Sequence, residues 1–92
     1  MLTFTINIKN GFRTHNLRVR QIYLDQRKEQ MKIGSDRRHM IIETNRPFFR
    51  NKGLKHRNPD VKLISGDVPR GTLYDEIIRE VIRMADEAST GK

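Results

Sequence analysis

Residues 2–11 read Leu-Thr-Phe-Thr-Ile-Asn-Ile-Lys-Asn-Gly, and this stretch decides the fold class of the 92-residue chain. Apolar side chains occupy every second position from Leu2 to Ile8, a period of two that indicates a strand with one buried face. Asn10-Gly11 is a favoured hairpin turn, because both residues tolerate positive φ. The stretch therefore predicts the first hairpin of an antiparallel sheet.

Further strands are expected downstream of this hairpin. Residues 12–16 break the alternation, which predicts a bulge or a wide turn before the second strand begins. Residues 17–24 form that strand, and a slip in parity near Gln21 predicts a bulge within it. Its expected apolar set is Leu17, Val19, Ile22, Tyr23 and Leu24. Three shorter strands are predicted at residues 29–33, 38–44 and 61–65.

Residues 72–88 have the clearest helical pattern in the chain. Their apolar side chains form one broad stripe, and the charged side chains lie on the other side. Thr72 and Asp75 have the spacing of a capping box. The stripe is most simply the surface that packs against the sheet, with a partner helix or a dimer seam as the alternative.

The predicted fold class is therefore α+β, with a four- to five-stranded, mostly antiparallel meander and one long C-terminal helix packed on it. Ninety-two residues suffice for one small domain, which we assign to residues 1–88, followed by a frayed tail at residues 89–92. The helix should cover the sheet face that bears Leu2, Phe4, Ile6 and Ile8.

The composition is strongly basic, with 19 Lys and Arg against 11 Asp and Glu and a net charge of +8. The basic excess lies in the first 70 residues, and such a field attracts nucleic acid, anionic membranes or acidic proteins. The absence of cysteine excludes disulfides and thiolate zinc sites. No apolar run has the length of a membrane span, so we expect a cytoplasmic protein without a membrane partner.

The most informative functional feature is the segment from Arg46 to Asn58, Arg-Pro-Phe-Phe-Arg-Asn-Lys-Gly-Leu-Lys-His-Arg-Asn, here called the basic segment. It contains no acid, and its proline and glycine predict a loop. Cations beside aromatic rings suit the phosphates and bases of single-stranded nucleic acid. The expected contact residues are Arg46, Phe48, Phe49, Arg50, Lys52, Lys55, His56 and Arg57. The competing interpretation places one or both phenylalanines in the core, with Leu54 as a second anchor.

A second group of cations should lie on the sheet face that the helix leaves open. Simple alternation places Arg18, Arg20, Lys32 and Arg38 there. With the basic segment at one edge, these residues complete the predicted nucleic-acid-binding surface.

The sequence offers little for catalysis, so we predict no enzyme activity, metal or cofactor. The histidines, His15, His39 and His56, lie in basic neighbourhoods that oppose a divalent ion. Asp60-Val61-Lys62 contains the Asp-x-Lys half-signature of metal-dependent nucleases, and a site there would need Asp36 or Glu43 as its second carboxylate.

His39, Asn45 and His56 invite comparison with the His-Asn-His nucleases. Those enzymes need a short helix that carries the last histidine. Residues 46–59 are predicted to be non-helical, so the comparison fails on this expectation.

Three functions remain possible on this sequence, in descending order of support. The first is non-catalytic binding of DNA or RNA. The alternative is a protein-interaction or assembly subunit of a viral, mobile-element or ribosome-associated complex, with an acidic protein as partner, and a small metal-dependent nuclease comes third. One contiguous basic face would favour nucleic acid, and scattered cations with an exposed apolar patch would favour a protein partner. The oligomeric state is left open.

Overall fold

The protein is an antiparallel meander with a helix on one face. The structure, a computed structural model, describes residues 2–35, 38–53, 59–66, 68–69 and 71–90, with side chains described as far as residue 88. The strands are β1 (Thr3–Asn10), β2 (Arg13–Leu24), β3 (Glu29–Gly34), β4 (His39–Thr44) and β5 (Val61–Gly66). Helix α1 (Arg46–Asn51) follows β4, and helix α2 (Leu73–Thr90) follows β5. The strand order is β1-β2-β3-β4-β5, with every neighbouring pair antiparallel, so the predicted α+β meander is confirmed.

The first hairpin forms as predicted, but its turn lies one residue later than the predicted Asn10-Gly11 pair, and Asn10 does not have positive φ. Asn10 pairs with Arg13, which leaves Gly11 and Phe12 as the turn residues, and Gly11 has a φ of 67°. The pairing is continuous from this turn to the far end of β1, so the bulge or wide turn expected at residues 12–16 is wrong. A tight turn that begins with glycine lets the second strand start at once.

The bulge predicted near Gln21 is confirmed, because the register between β2 and β3 shifts between Gln21 and Tyr23. Its effect on burial differs from the expectation. Leu17 is half-buried and Val19 is buried as predicted, but the expected apolar residues Ile22, Tyr23 and Leu24 are exposed. Gln21 is buried in their place. The reason is that the side-chain amide of Gln21 donates a hydrogen bond to the buried carboxylate of Glu29 at this end of the sheet.

Helix α2 packs on one face of the sheet through three residues spaced four apart, Ile77, Val81 and Ala85. This spacing places them on one side of the helix, so the apolar stripe is the packing surface that the sequence predicted. The buried apolar residues are Ile6, Ile8, Val19, Met31, Ile33, Met40, Ile42, Ile77, Val81 and Ala85. Leu2 and Phe4 are half-buried at the margin of this core, as the alternation of β1 requires.

No helix within the described part of the chain combines the length and the hydropathy needed to cross a membrane. Helix α2 runs to Thr90, two residues beyond its predicted end. Gly91 and Lys92, at the end of the predicted tail, lie outside the described residues.

Candidate nucleic-acid interface

Cations gather on the outer face, which is the sheet face opposite α2. The register aligns Arg20 with Thr3 on one side and with Lys32 on the other. The same row continues through Ile41 to Ser65 and so crosses all five strands. Because paired residues in neighbouring strands project from the same face, Arg20 and Lys32 are direct neighbours on the outer face.

Arg18 lies on the same face in the next row, aligned with Thr5 and Gly34. Arg18, Arg20 and Lys32 are exposed, and we call these three residues the outer basic cluster. None of them forms an ion pair with a described carboxylate. Adjacent like charges on a sheet repel one another, so this cluster is most stable when an anion lies over it.

Arg38, the fourth cation predicted for this face, is exposed and stands one residue before β4. It therefore lies at the end of the sheet, beside the β3–β4 connection, rather than within a strand. Its nearest position in the outer rows is that of His39, which pairs with Gly34.

The opposite end of the outer face is charge-compensated. Glu43 is aligned with Lys62 across β4 and β5 and also lies 3.7 Å from the Lys28 ammonium group. Gln30 donates a 3.1 Å hydrogen bond from Nε2 to the same carboxylate. Among the charged residues that the structure describes, the cations of this face without an ion pair therefore lie toward the Gly34 end of β3.

An Asx-type turn closes the β2–β3 connection. The Tyr23 hydroxyl donates to Asp25 at 2.7 Å, and the amides of Arg27 and Lys28 donate to the same carboxylate at 2.8 Å each. The hydrogen bond from Tyr23 and the two backbone amides lower the pKa of Asp25 to about 2. The same hydrogen bond and the nearby negative charge raise the pKa of the Tyr23 hydroxyl. The exposed Tyr23 ring is thus held in place, with Lys28 Nζ 5.7 Å from its centroid.

The basic segment does not begin as a loop. Residues Arg46–Asn51 form helix α1, so the predicted loop is wrong for this part of the segment. Pro47 occupies the first helical turn, where its missing N–H costs no hydrogen bond and its fixed φ suits the helix. Asn45 precedes the helix and exchanges hydrogen bonds with Asp60 instead of capping it, through Nδ2 at 3.2 Å and Oδ1 at 2.7 Å.

Arg46 was predicted to contact phosphate, and the structure contradicts this, because the residue is 6% exposed. Its Nε and an Nη atom donate to the two carboxylate oxygens of Glu29, at 2.6 Å and 2.7 Å. Glu29 has no exposed surface, and its carboxylate also accepts from Thr44 Oγ1 at 2.7 Å and Gln21 Nε2 at 2.8 Å. Arg46 further reaches Asp86 of α2 at 3.2 Å.

Four buried residues, Gln21, Glu29, Thr44 and Arg46, form the buried polar cluster together with Asp86, whose carboxylate is half exposed. Burial alone would raise the pKa of Glu29, but the hydrogen bonds from Arg46 and Thr44 and the charge of Arg46 lower the pKa below its ordinary value. Every buried side-chain nitrogen and oxygen of the described residues has a hydrogen-bond partner. The cluster joins β2, β3 and β4 to both helices, so its role is to fix α1 against the body of the protein.

The remaining residues of α1 present one ring to solvent. Phe48 and Phe49 form an edge-to-face pair with centroids 5.7 Å apart. Phe48 is exposed, and Phe49 is half-buried beneath it. Lys52 Nζ lies 5.8 Å from the Phe48 centroid, and both Arg50 and Lys52 are exposed. Leu54, Lys55, His56 and Arg57, the other members of the predicted set, lie outside the described residues.

The structure separates the two groups of cations that the sequence placed on one surface. Helix α1 is attached at the Glu29 end of β3, and Asn51 donates from Nδ2 to the Gln26 carbonyl at 2.7 Å. The outer basic cluster lies toward the Gly34 end of the same strand. Since a strand rises about 3.3 Å per residue, the two ends of β3 are roughly 16 Å apart.

Carboxylates and histidines do not assemble into a metal site in the described part of the chain. Glu43 is aligned with Lys62 of the Asp-x-Lys sequence, but its carboxylate is engaged by Lys28 and Gln30. Helix α1 ends at Asn51, and His56 lies outside the described residues, as does Asp36. The comparison with the His-Asn-His nucleases was rejected because residues 46–59 were predicted to be non-helical. That prediction is wrong for residues 46–51, which form helix α1.

Sequence reasoning missed the buried polar cluster. One signal was available, because Glu29 has the same parity as Met31 and Ile33 and so falls on the inward face of its strand. An acid at a core position requires a buried partner. The identity of that partner follows from tertiary structure alone.

Comparisons with protein-family models, with curated proteins and with solved structures find no match to this chain.

Proposed function

We propose that this protein is a non-catalytic nucleic-acid-binding domain that binds the phosphate backbone with its outer sheet face. The observation that supports the proposal best is the outer basic cluster of Arg18, Arg20 and Lys32, exposed and without an ion pair to any described carboxylate. Phosphates are the ligand that adjacent Arg and Lys side chains favour, because Arg donates in a fixed fork and Lys supplies a compact charge.

The position of the cluster on an open sheet face supports a single strand as ligand. Arg20 and Lys32 stand side by side, and Ile41 continues their row on β4. Exposed sheet faces with cations and apolar side chains can follow a backbone and contact bases at the same time. Phe48 of helix α1 and Lys52, which follows the helix, form a second, separate contact point that a longer strand could reach.

The experiment is a fluorescence-anisotropy titration at low salt with labelled single-stranded DNA and RNA of mixed sequence. Arg18→Ala, Arg20→Ala and Lys32→Ala are combined in one variant. The matched control combines Arg13→Ala, Arg27→Ala and Arg79→Ala, which removes the same number of charges from exposed positions away from the outer face. We expect the first variant to lose at least about tenfold in affinity, the effect of losing one or more charge-assisted hydrogen bonds.

The control variant should lose little affinity, and the difference between the two variants separates local contacts from general charge attraction. Equal losses in both variants would show that the outer face is not the site. Absence of binding by the unmodified protein at low salt would refute the function itself.

A role in protein assembly has one specific observation in its favour. Strand β5 is an edge strand, and its exposed residues include Leu63 and Ile64. An unpaired edge of this kind can accept a strand from a partner. If a second copy pairs there, amide hydrogen exchange in β5 should slow as the protein concentration rises, and Ile64→Lys should abolish that change. Exchange rates that do not depend on concentration would exclude self-pairing at this edge.

A further inference from the structure

A cavity of about 180 Å³ opens at the Gly34 end of the sheet, between the sheet and the start of α2. Its apolar lining residues are Leu17, Ile33, Met40, Val68, Pro69, Leu73 and Ile77. Ile33, Met40 and Ile77 are buried and form its floor. The cavity lies against the core, on the opposite side of the sheet from the outer basic cluster.

The polar part of the lining consists of His15, Ser35, Arg38 and His39, together with the backbone at Gly34. No described carboxylate lines the cavity. Arg38 is exposed and His15 is half-buried, whereas the side chain of His39 projects from the outer face beside Gly34. The mouth thus offers a guanidinium group, an imidazole and a hydroxyl above an apolar floor, a combination complementary to an anion attached to a flat ring whose face rests on the apolar side chains.

The volume of the cavity limits the part of a ligand that can enter it to a single ring. A cavity of about 150 Å³ holds benzene, whereas sites for drug-sized ligands start at about 300 Å³. A cavity of 180 Å³ therefore accommodates one six-membered ring and leaves a charged substituent at the mouth.

A second observation connects the cavity to the outer face. A shallow depression on the outer face is lined by Thr5, Asn16, Leu17, Arg18, Gly34 and Ser35. It shares Leu17, Gly34 and Ser35 with the cavity. A chain that contacts Arg18 can therefore continue past Ser35 to the cavity mouth without leaving the protein surface.

We propose that this cavity binds a pyrimidine nucleoside monophosphate group, with the ring on the apolar floor and the phosphate at Arg38. The group can be a free nucleotide or the phosphorylated end of a strand. The second case rests on the proposed function, because the strand then lies on the outer basic cluster and ends in the cavity.

The test is an NMR titration of methyl-labelled and amide-labelled protein with uridine 5′-monophosphate, with uridine and with inorganic phosphate as separate probes. We expect the monophosphate to shift the methyl signals of Leu17, Ile33 and Leu73, with weaker effects from uridine. Arg38→Ala should weaken binding of the monophosphate about tenfold, since one charge-assisted contact is lost. Arg79→Ala, an exposed change on α2, is the control and should have no effect.

Val68→Trp tests the cavity itself. Val68 is 48% exposed at the mouth, so a larger side chain there can close the cavity without entering the core. This variant should abolish the methyl shifts while the amide spectrum retains its folded dispersion. Identical shifts from inorganic phosphate and from the monophosphate would show that no ring is bound and would overturn the inference, as would undiminished binding by the Val68→Trp variant.

Two further measurements distinguish the sources of the ligand and separate this inference from the proposed function. A 5′-phosphorylated oligonucleotide should bind more tightly than its unphosphorylated form, and Val68→Trp should remove that difference. The triple variant of the outer basic cluster should leave binding of the free monophosphate unchanged. If the monophosphate causes no shifts, the cavity inference is wrong even where oligonucleotides bind; if it binds and oligonucleotides do not, only the proposed function is wrong.

Discussion

Arg46 illustrates how burial changes the role of a charged residue. Its guanidinium group makes a bidentate contact with Glu29 and a third contact with Asp86, and each of these partners lies on a different element. A buried ion pair contributes little net stability compared with a well-packed apolar pair, but removing one member leaves the other charge buried and unpaired. Arg46 therefore fixes α1 and is not available to a ligand.

We expect Arg46→Ala to lower the free energy of unfolding by about 3–5 kcal/mol, because the carboxylate of Glu29 loses its charged partner. The matched control is Arg83→Ala. Arg83 pairs with Glu80 and Glu87 on the solvent side of α2, where water screens the charges, so its replacement should cost much less than that of Arg46. Urea denaturation followed by circular dichroism measures both changes. Equal losses would contradict the role assigned to the buried polar cluster, and Arg46→Lys keeps the test possible if Arg46→Ala does not fold.

The lowered pKa of Asp25 predicts how the stability of the protein depends on pH. Its pKa in the folded protein is about 2, against an ordinary value of 3.8, so folding favours its charged form. Any contribution to stability is complete above pH 3.8 and is lost as the pH falls through about 2. A carbon-13 NMR titration of the side-chain carboxyl group should give this low pKa directly.

The control for this titration uses the two tyrosines. Tyr23→Phe removes the hydrogen bond to Asp25 and should raise the pKa of Asp25 toward its ordinary value. Tyr74→Phe lies on α2 and should leave that pKa unchanged. A pKa near the ordinary value in the unmodified protein would show that the Asx-type turn is not formed in solution.

At the scale of the elements, the sequence predicts what depends on short-range pattern. Apolar side chains recur every two residues in β1 and about every four residues in α2, and these periods predicted both elements. The glycine after Asn10 predicted the first turn. Helix α1 was missed because Pro47 and Gly53 were interpreted as loop markers, although proline is compatible with a first helical turn. The ring of Phe48 could be placed only once that helix was known.

For the candidate site too, the sequence predicted the residues whose position depends on short-range pattern and missed the one whose position depends on a long-range contact. Arg18, Arg20 and Lys32 were placed on the correct face because simple alternation holds on that side of the β2 bulge. Arg46 was misplaced because its partner Glu29 is 17 residues away, and their contact depends on how α1 docks against β3. Local pattern carries no information on such a contact.

Two glycines provide a matched test of the strand connections. Gly11 and Gly66 both have positive φ, which an L side chain adopts only at a cost of roughly 1–2 kcal/mol. A Cβ at Gly11 would meet no neighbouring atom, whereas a Cβ at Gly66 would meet the backbone of His39 and Met40. We therefore expect Gly11→Ala to destabilise the protein by about 1–2 kcal/mol and Gly66→Ala by clearly more. Thermal unfolding of the two variants measures the difference, and similar values would mean that β4 and β5 separate more easily than the structure indicates.

At the scale of the whole molecule, charge is distributed between the two faces. The outer face bears Arg18, Arg20 and Lys32, which form no ion pair with a described carboxylate, while α2, on the other side of the sheet, bears Glu76, Glu80, Asp86 and Glu87. If the protein binds nucleic acid as proposed, a net charge of +8 with this asymmetry would orient it as it approaches the polyanion. The acidic helix would face away from the ligand, so the proposed surface and the overall field favour the same orientation.

The salt dependence of binding gives a quantitative test of this arrangement. For a single strand, the logarithm of the association constant falls with the logarithm of salt concentration with a slope of about −0.7 for each phosphate contact. If Arg18, Arg20 and Lys32 each contact one phosphate, their combined replacement by alanine should make the slope shallower by about 2. Replacement of Arg13, Arg27 and Arg79 removes the same charge without removing contacts, so its slope should match that of the unmodified protein. Anisotropy titrations at several salt concentrations measure all three slopes, and equal slopes in the two triple variants would place the phosphate contacts elsewhere on the molecule.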